Sequence, residues 1–576
     1  MATFLSLPRA GAAITGLLLL LAAALQAPPT LAEEAFLPGK TRTPASALPA
    51  PPTATPDETG VTASKLPSDP YERVRLFAGT PDFLWIDRDL MPAAHAWVMT
   101  GLLDDAASDG LDRDDYALGE IARRFEELAA TPARSRDDAR LSAVDRLLTE
   151  SSLRFLRDLH LGRIDPARAH RDVRLPVRTF DAQALLADAL RSGSVSRLRD
   201  RAAPQVPMYG RLRKALADYR SIAASPVPLP GIPPLPATGK VQPGEQWEGV
   251  PALSQVLGAL GDFDGPPFVT DVYEPELVEA VRTFQHRHGL DVDGVIGRQT
   301  HAELSVPVGA RIAQIELALE RFRWLPEIDA DVFVAINIPA FRLWAFDHRG
   351  GGEPDIWETR IVVGNATSGR TPIFVDRMRW IEFNPYWHVP RSIVRRELLP
   401  KLYGDPGYLQ RQSMRILDKD GIEVGPVGPD TLAGLEDGTY RIRQDPGESN
   451  ALGRVKFVMP NDMAIYLHDT PSRGLFRRAR RAFSHGCIRV ESPETLAGRL
   501  LGDTGRWSDD TIRQAIDSGK RTIAGLRQPV PVVIFYVTTT VDADGSVRFY
   551  PDVYGYDQDA LASLRSARQL ALRKSD

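Results

Sequence analysis

Two proline-rich stretches constrain how this chain can fold, because proline fixes φ and removes a backbone donor. Residues 33–70 are rich in Pro, Ser, Thr and Ala, as in Ala47-Leu48-Pro49-Ala50-Pro51-Pro52. The second stretch reads Pro226-Val227-Pro228-Leu229-Pro230-Gly231-Ile232-Pro233-Pro234. The first cannot bury a core and reads as a disordered, extended linker; the second marks a domain boundary. At ~100–200 residues per domain, a chain of 576 residues divides into three or four domains. Hydrophobic residues make up 43% and charged residues 25%. This is globular composition, and it excludes a mainly disordered chain or a multi-span membrane protein. Basic and acidic residues number 70 and 75, so the chain has no electrostatic footprint for bulk nucleic-acid binding.

The N-terminus reads as an export signal. Arg9 precedes an apolar run from Ala10 to Leu25, and Thr30-Leu31-Ala32 supplies small residues for a cut. The run is short against the ~20 residues of a membrane span. Residues 1–32 are therefore expected to be a signal peptide, with the mature chain periplasmic and touching a membrane only if this segment stays uncleaved. In an oxidising compartment the cysteine count becomes informative. Cys487 is alone, which excludes an intrachain disulfide framework, a Cys-rich metal site and a dithiol redox motif.

Apolar spacing between the proline stretches is helical. Leu141, Val144, Leu148, Phe155 and Leu159 recur at multiples of three or four, as do Tyr209, Leu212, Leu216 and Tyr219. Residues 71–225 are expected to be a helical scaffold. The unit at 242–306 carries a helix from Glu274 to His288, with Gly289 placed to end it in the left-handed conformation. Its segment Phe284-Gln285-His286-Arg287-His288-Gly289-Leu290-Asp291-Val292-Asp293-Gly294-Val295-Ile296-Gly297 resembles the peptidoglycan-binding module, which implies a three-helix unit with affinity for cell-wall peptide or glycan.

Beyond a further amphipathic helix starting at Ala310, the texture turns to β-branched and aromatic runs. Val332–Ile338, Phe341–Phe346, Arg360–Gly364, Arg454–Met459 and Pro531–Val537 are such runs. Asp544-Gly545 between two of them suggests a hairpin. Residues 310–556 are therefore expected to be a β-rich domain, with a helical insertion at 390–438 acting as a lid and a C-terminal helix and tail at 557–576. The fold class is multidomain α+β.

The candidate chemistry is at Ser484-His485-Gly486-Cys487-Ile488-Arg489. Upstream lies Tyr466-Leu467-His468-Asp469-Thr470. A thiol of pKa ~8.5 is only a few per cent thiolate at neutral pH, and a nearby imidazole can take its proton and leave an ion pair. Gly486 allows a sharp turn, and backbone N–H groups at Gly486 and Cys487 could form an oxyanion hole. Two other readings stand beside this one on residues alone. Cys487 could be a buried apolar filler, or it could join His485 and His468 as a three-ligand catalytic zinc site.

The two motifs together resemble the L,D-transpeptidase catalytic domain of YkuD type, along with Val362-Val363-Gly364, Thr371-Pro372, Asn384-Pro385-Tyr386-Trp387 and Asn450-Ala451-Leu452-Gly453. The domain order resembles the large Gram-negative members, in which an Arg stands at the position of Arg489. The resemblance implies that Cys487 attacks a peptidoglycan stem peptide after its third residue and releases D-Ala. It implies a thioester that an amine resolves into a 3→3 cross-link, or that water resolves as a carboxypeptidase. A member that attaches or detaches a wall-linked lipoprotein and a non-catalytic wall-binding scaffold are the other functions considered. His468 is the expected base, oriented by a backbone carbonyl near Asp469. Gly486 and His485 shape the hole; Arg489, Ser484, Tyr466 and Trp387 are expected to contact substrate; Arg473, Arg477, Arg478, Arg480 and Arg481 could read stem carboxylates. No metal or cofactor is expected. The expected partners are donor and acceptor stems, with cell-wall synthesis proteins as further candidates.

Overall fold

The apolar runs of the C-terminal half are continuous rather than alternating, which requires strands covered on both faces. A computed structural model of the chain describes residues 67–80, 82–351, 353–502 and 505–572. The expected signal peptide and most of the 33–70 linker lie outside these residues.

Fifteen strands are found among the described residues: β1 (Val173–Arg174), β2 (Val332–Asn337), β3 (Arg342–Asp347), β4 (Asp355–Gly364), β5 (Ile373–Phe383), β6 (Trp387–His388), β7 (Met414–Leu417), β8 (Arg441–Gln444), β9 (Val455–Val458), β10 (Leu467–His468), β11 (Ala482–Ser484), β12 (Ile488–Val490), β13 (Thr522–Phe535), β14 (Thr539–Val541) and β15 (Val547–Phe549). The main sheet runs β5-β13-β2-β3-β4-β12-β10-β9, and β9 pairs back to β5. The ladder therefore closes on itself, which removes free edges. β1, from the helical region, pairs in parallel with β5, and β11 pairs with β4. β13 is longer than the expected Pro531–Val537 run. Its register shifts between Gly525 and Val530, the interval that holds Pro529, as a bulge accommodates a residue that cannot donate.

The inward side chains form one core with Val334, Ile336, Leu343, Ala345, Val532, Ile534, Leu467 and Ile488. The alternate residues of β2, β3 and β13, among them Phe333, Trp344, Phe346, Val533 and Phe535, belong to a second core shared with the helices of residues 70–223. Phe333 and Phe346 pair directly across the strands and stack at 4.4 Å. The helix Val308–Trp324 packs at this junction. Its expected stripe of Ile315, Leu319 and Phe322 is buried, and so are Glu320, Arg321 and Arg323. Those charges are tolerated because each is paired. Glu320 accepts from the Arg163 backbone at 2.7 Å and pairs with Arg323 at 3.1 Å, and Arg321 pairs with Asp557 at 2.5 Å.

Helices Val250–Ala259, Pro275–Arg287 and Arg298–Leu304 enclose a separate small core. Gly289 follows the middle helix at φ 63°. Gln285 is fully buried and holds the Asp293-Gly294 turn, donating to Asp293 at 2.9 Å and accepting from the Gly294 N–H at 2.9 Å. That motif residue is thus structural.

The insertion differs from the helical expectation. β6, β8 and β7 form a three-stranded sheet, so the subdomain extends from Trp387 to Gln444. It has its own core of Val389, Val394, Leu398, Leu402, Leu409, Ile416, Leu435 and Ile442. Its strands have two to four residues, too few to leave a period-2 pattern in the sequence.

Candidate active site

The site is created by one parallel strand pair. In β10 and β12, Leu467 pairs with Ile488 and His468 with Arg489. Leu467 and Ile488 point into the core. By alternation, Tyr466 and His468 share the opposite face of one strand with Cys487 and Arg489 of the other. The two strands lie about 4.8 Å apart, so His468 and Cys487 are diagonal neighbours on that face.

The loop that carries the thiol is tied at each residue. Ser484 Oγ donates to the Cys487 carbonyl at 2.5 Å and accepts from the Gly486 N–H at 3.1 Å. Thr371 Oγ1 donates to the Gly486 carbonyl at 2.8 Å. Gly486 sits at φ 123°, where a side chain would be strained and its Cβ would approach Arg370 O and Ile465 at 3.3 Å. The expected pair of oxyanion donors is thereby reduced. The Gly486 N–H is occupied by Ser484, and among the described residues the Cys487 N–H has no partner and remains available.

His468 is 4% exposed. Its Nδ1 lies 2.5 Å from the Asp469 carbonyl oxygen, the position at which an orienting carbonyl was expected. The Asp469 carboxylate is itself held, accepting from the Arg454 N–H at 2.8 Å and pairing with Arg473 at 2.8 Å. Burial, then Arg489 and Lys456, push the imidazole down to about 3. Burial also raises the Cys487 thiol; the Tyr466 backbone and hydroxyl, Lys456 and Arg489 work against that rise. Both shifts favour a neutral thiol and a neutral imidazole over an ion pair. The thiol donates to the Ala464 carbonyl at 3.6 Å.

Tyr466 links three parts of the site. Its hydroxyl is in electrostatic reach of Cys487 and of Trp387 of β6, and its ring meets that of His468 edge-on at 5.7 Å. Trp387 brings the insertion against the nucleophile. A second link joins His485 Nε2 to Glu397 of the insertion at 2.5 Å. His485 thus faces the insertion and does not converge with Cys487 and His468 in a common ligand set.

The arginine cluster divides. Arg473 is engaged by Asp469, and Arg481 is buried, donating to Ile361 and Phe341 carbonyls at 3.2 and 3.3 Å. Arg477, Arg478 and Arg480 are exposed, and Arg478 lies over the half-exposed Phe483 ring at 5.6 Å. Lys456 of β9 is a site residue that motif reading missed. It pairs in register with His468, and its Nζ is 4.3 Å from the Tyr466 ring centroid. The only sequence signal is one cation in the alternating run Val455-Lys456-Phe457-Val458.

The chain thus combines a closed β-rich domain, a Cys–His pair on one sheet face, an inserted subdomain and a small three-helix module. Residues 331–541 match the L,D-transpeptidase catalytic domain of the YkuD family, residues 78–216 the scaffold domain and residues 248–304 the "Putative peptidoglycan binding domain". The chain is 39% identical over 245 residues to the "Putative L,D-transpeptidase" of Haemophilus influenzae, covering 42% of this chain and 48% of that protein. It thus spans about half the length of that curated relative. A solved L,D-transpeptidase fragment from Xylanimonas cellulosilytica is 17% identical, aligned over 53% of this chain and 100% of that one, with a TM-score of 0.15. A fused zinc-dependent amidase/peptidase with a peptidoglycan-binding domain, from Clostridium acetobutylicum, is 10% identical over 51% of this chain and 99% of that one, with a TM-score of 0.13. Both superpositions are too slight to carry an argument.

Proposed function

We propose that this protein is a peptidoglycan L,D-transpeptidase that forms 3→3 cross-links through a cysteine thioester. The observation that carries the reading is the parallel β10–β12 pairing, which sets His468 and Cys487 on one face. In the first half-reaction the Cys487 sulfur attacks the carbonyl of the third stem residue and its proton passes to His468. The oxyanion is met by the free Cys487 N–H. The C–N bond to terminal D-Ala breaks, the amine leaves with the proton from His468, and a thioester remains. In the second half-reaction a side-chain amine of another stem attacks the thioester. His468 takes its proton and the sulfur leaves as thiol. Arg489 and the exposed Arg477, Arg478 and Arg480 suit stem carboxylates. An export signal at residues 1–32 would put the work in the periplasm, where the 242–306 module would hold the enzyme to its polymer. The subdomain around 387–444 would gate donor entry.

The test is incubation of purified protein with disaccharide-tetrapeptides, followed by mass analysis of the products. Dimers lacking one D-Ala are expected. Tripeptides alone would make it a carboxypeptidase, and no turnover together with wall binding would make it a scaffold.

A further inference from the structure

Register alone builds one row of charged side chains on the site face. Arg489 on β12 pairs with His468 on β10, His468 with Lys456 on β9, and Lys456 with Glu382 on β5. Neighbouring strands lie about 4.8 Å apart, so His468 is flanked by a cation on each side. Lys456 shares its one facing carboxylate, Glu382, with Arg521. Glu382 is committed to Arg521 at 3.0 Å and to the Trp380 indole at 3.2 Å, and Arg489 Nε is buried without a partner. Lys456 is half-buried and seated on the Tyr466 ring, which shares the site face with Cys487. The other charged or titratable groups facing this row are Cys487, Arg521 and His388 of β6.

We propose that Lys456 is an electrostatic positioning residue. Its ammonium, held on Tyr466, adds to the field that disfavours the His468 imidazolium and lowers the cost of forming the Cys487 thiolate, which favours the nucleophile in the pair. The inference rests on the nucleophile–base reading above but not on which acceptor resolves the thioester. Removing a cation makes an imidazolium easier to form and a thiolate harder, so both titrations should move to higher pH. For a charge one strand away at intermediate effective dielectric, the move is about one to two pH units.

The experiment compares the full chain with Lys456→Met, Lys456→Gln and Lys456→Arg. One readout is the pH dependence of Cys487 alkylation by iodoacetamide; the other is the NMR titration of the His468 ring. Neither uses peptidoglycan, so a failure here is distinct from a failure of the proposed function. The neutral variants should shift both midpoints upward by about one to two pH units, while the Arg variant returns them toward the parent. Should the Met variant not fold, the Gln variant carries the same prediction. Unmoved midpoints with a uniform loss of rate, a downward shift, or an Arg variant that behaves like the neutral ones would overturn the proposal.

Discussion

The closed sheet has two sides built by opposite rules. Along β2, β3 and β13 both faces are buried, one in the inner core and one against the helical region through Phe333, Trp344, Phe346 and Phe535. Along β9, β10 and β12 only the inner face is apolar, and the outer face carries Lys456, His468, Cys487 and Arg489. The first side is dominated by apolar packing. On the second, a thiol is raised, a histidine is depressed and an arginine nitrogen is left without a partner. The difference teaches where the fold spends its tolerance for unsatisfied groups: one side supplies stability by burial, and the other keeps electrostatic tension at the reacting atoms.

Substitutions can break or sharpen that contrast. Cys487→Ala should abolish acylation by a donor tetrapeptide while leaving the thermal midpoint nearly unchanged, read by intact mass and calorimetry. His468→Gln should lower the acylation rate by about 10²–10⁴-fold, the usual contribution of a positioned base, in a stopped-flow or quench assay. Trp344→Ala belongs to the other side. It should cost about 3–5 kcal/mol of stability in a denaturant titration, with no change in the pH dependence of the fraction still folded. Smaller still is the effect of Glu397→Gln, which weakens the His485 contact to the insertion; a few-fold rise in KM with little change in kcat is expected.

The pH dependence of stability offers a further contrast. The unfolded His468 binds a proton below about 6.5, whereas burial, helped by Arg489 and Lys456, holds the folded ring neutral down to about 3. Between these values the unfolded state binds more protons, so stability falls as pH falls through this window. Denaturant midpoints should drop from pH 7 to pH 4, and His468→Gln should flatten part of that drop. An unchanged slope in the variant would place the titrating group elsewhere.

Much of this was legible in the sequence where chemistry is concentrated in contiguous residues. Cys487, His468 and the carbonyl after it could be located because two short motifs carry them. The continuous runs Val332–Ile338 and Pro531–Val537 announced strands without saying that their second face would meet helices, because periodicity is lost when both faces are apolar. Lys456 was invisible, since one cation in a four-residue strand looks like ordinary alternation. The bond from the Gly486 N–H to Ser484 Oγ is not legible in the sequence, because it depends on the rotamer of Ser484. The Arg473–Arg481 run looked uniform, yet Arg481 is buried among backbone carbonyls and Arg473 serves Asp469. Composition cannot separate those fates.

The central claim is that Cys487, served by His468 from the neighbouring strand, takes an acyl group from a stem peptide. Intact-protein and peptide-level mass spectrometry after exposure to a disaccharide-tetrapeptide, with no acceptor added, tests it directly. The account predicts an adduct equal to the donor less D-Ala, on the peptide that contains Cys487, and slow to form in His468→Gln. An adduct that persists in Cys487→Ala, or no adduct while the donor still loses D-Ala, would contradict it.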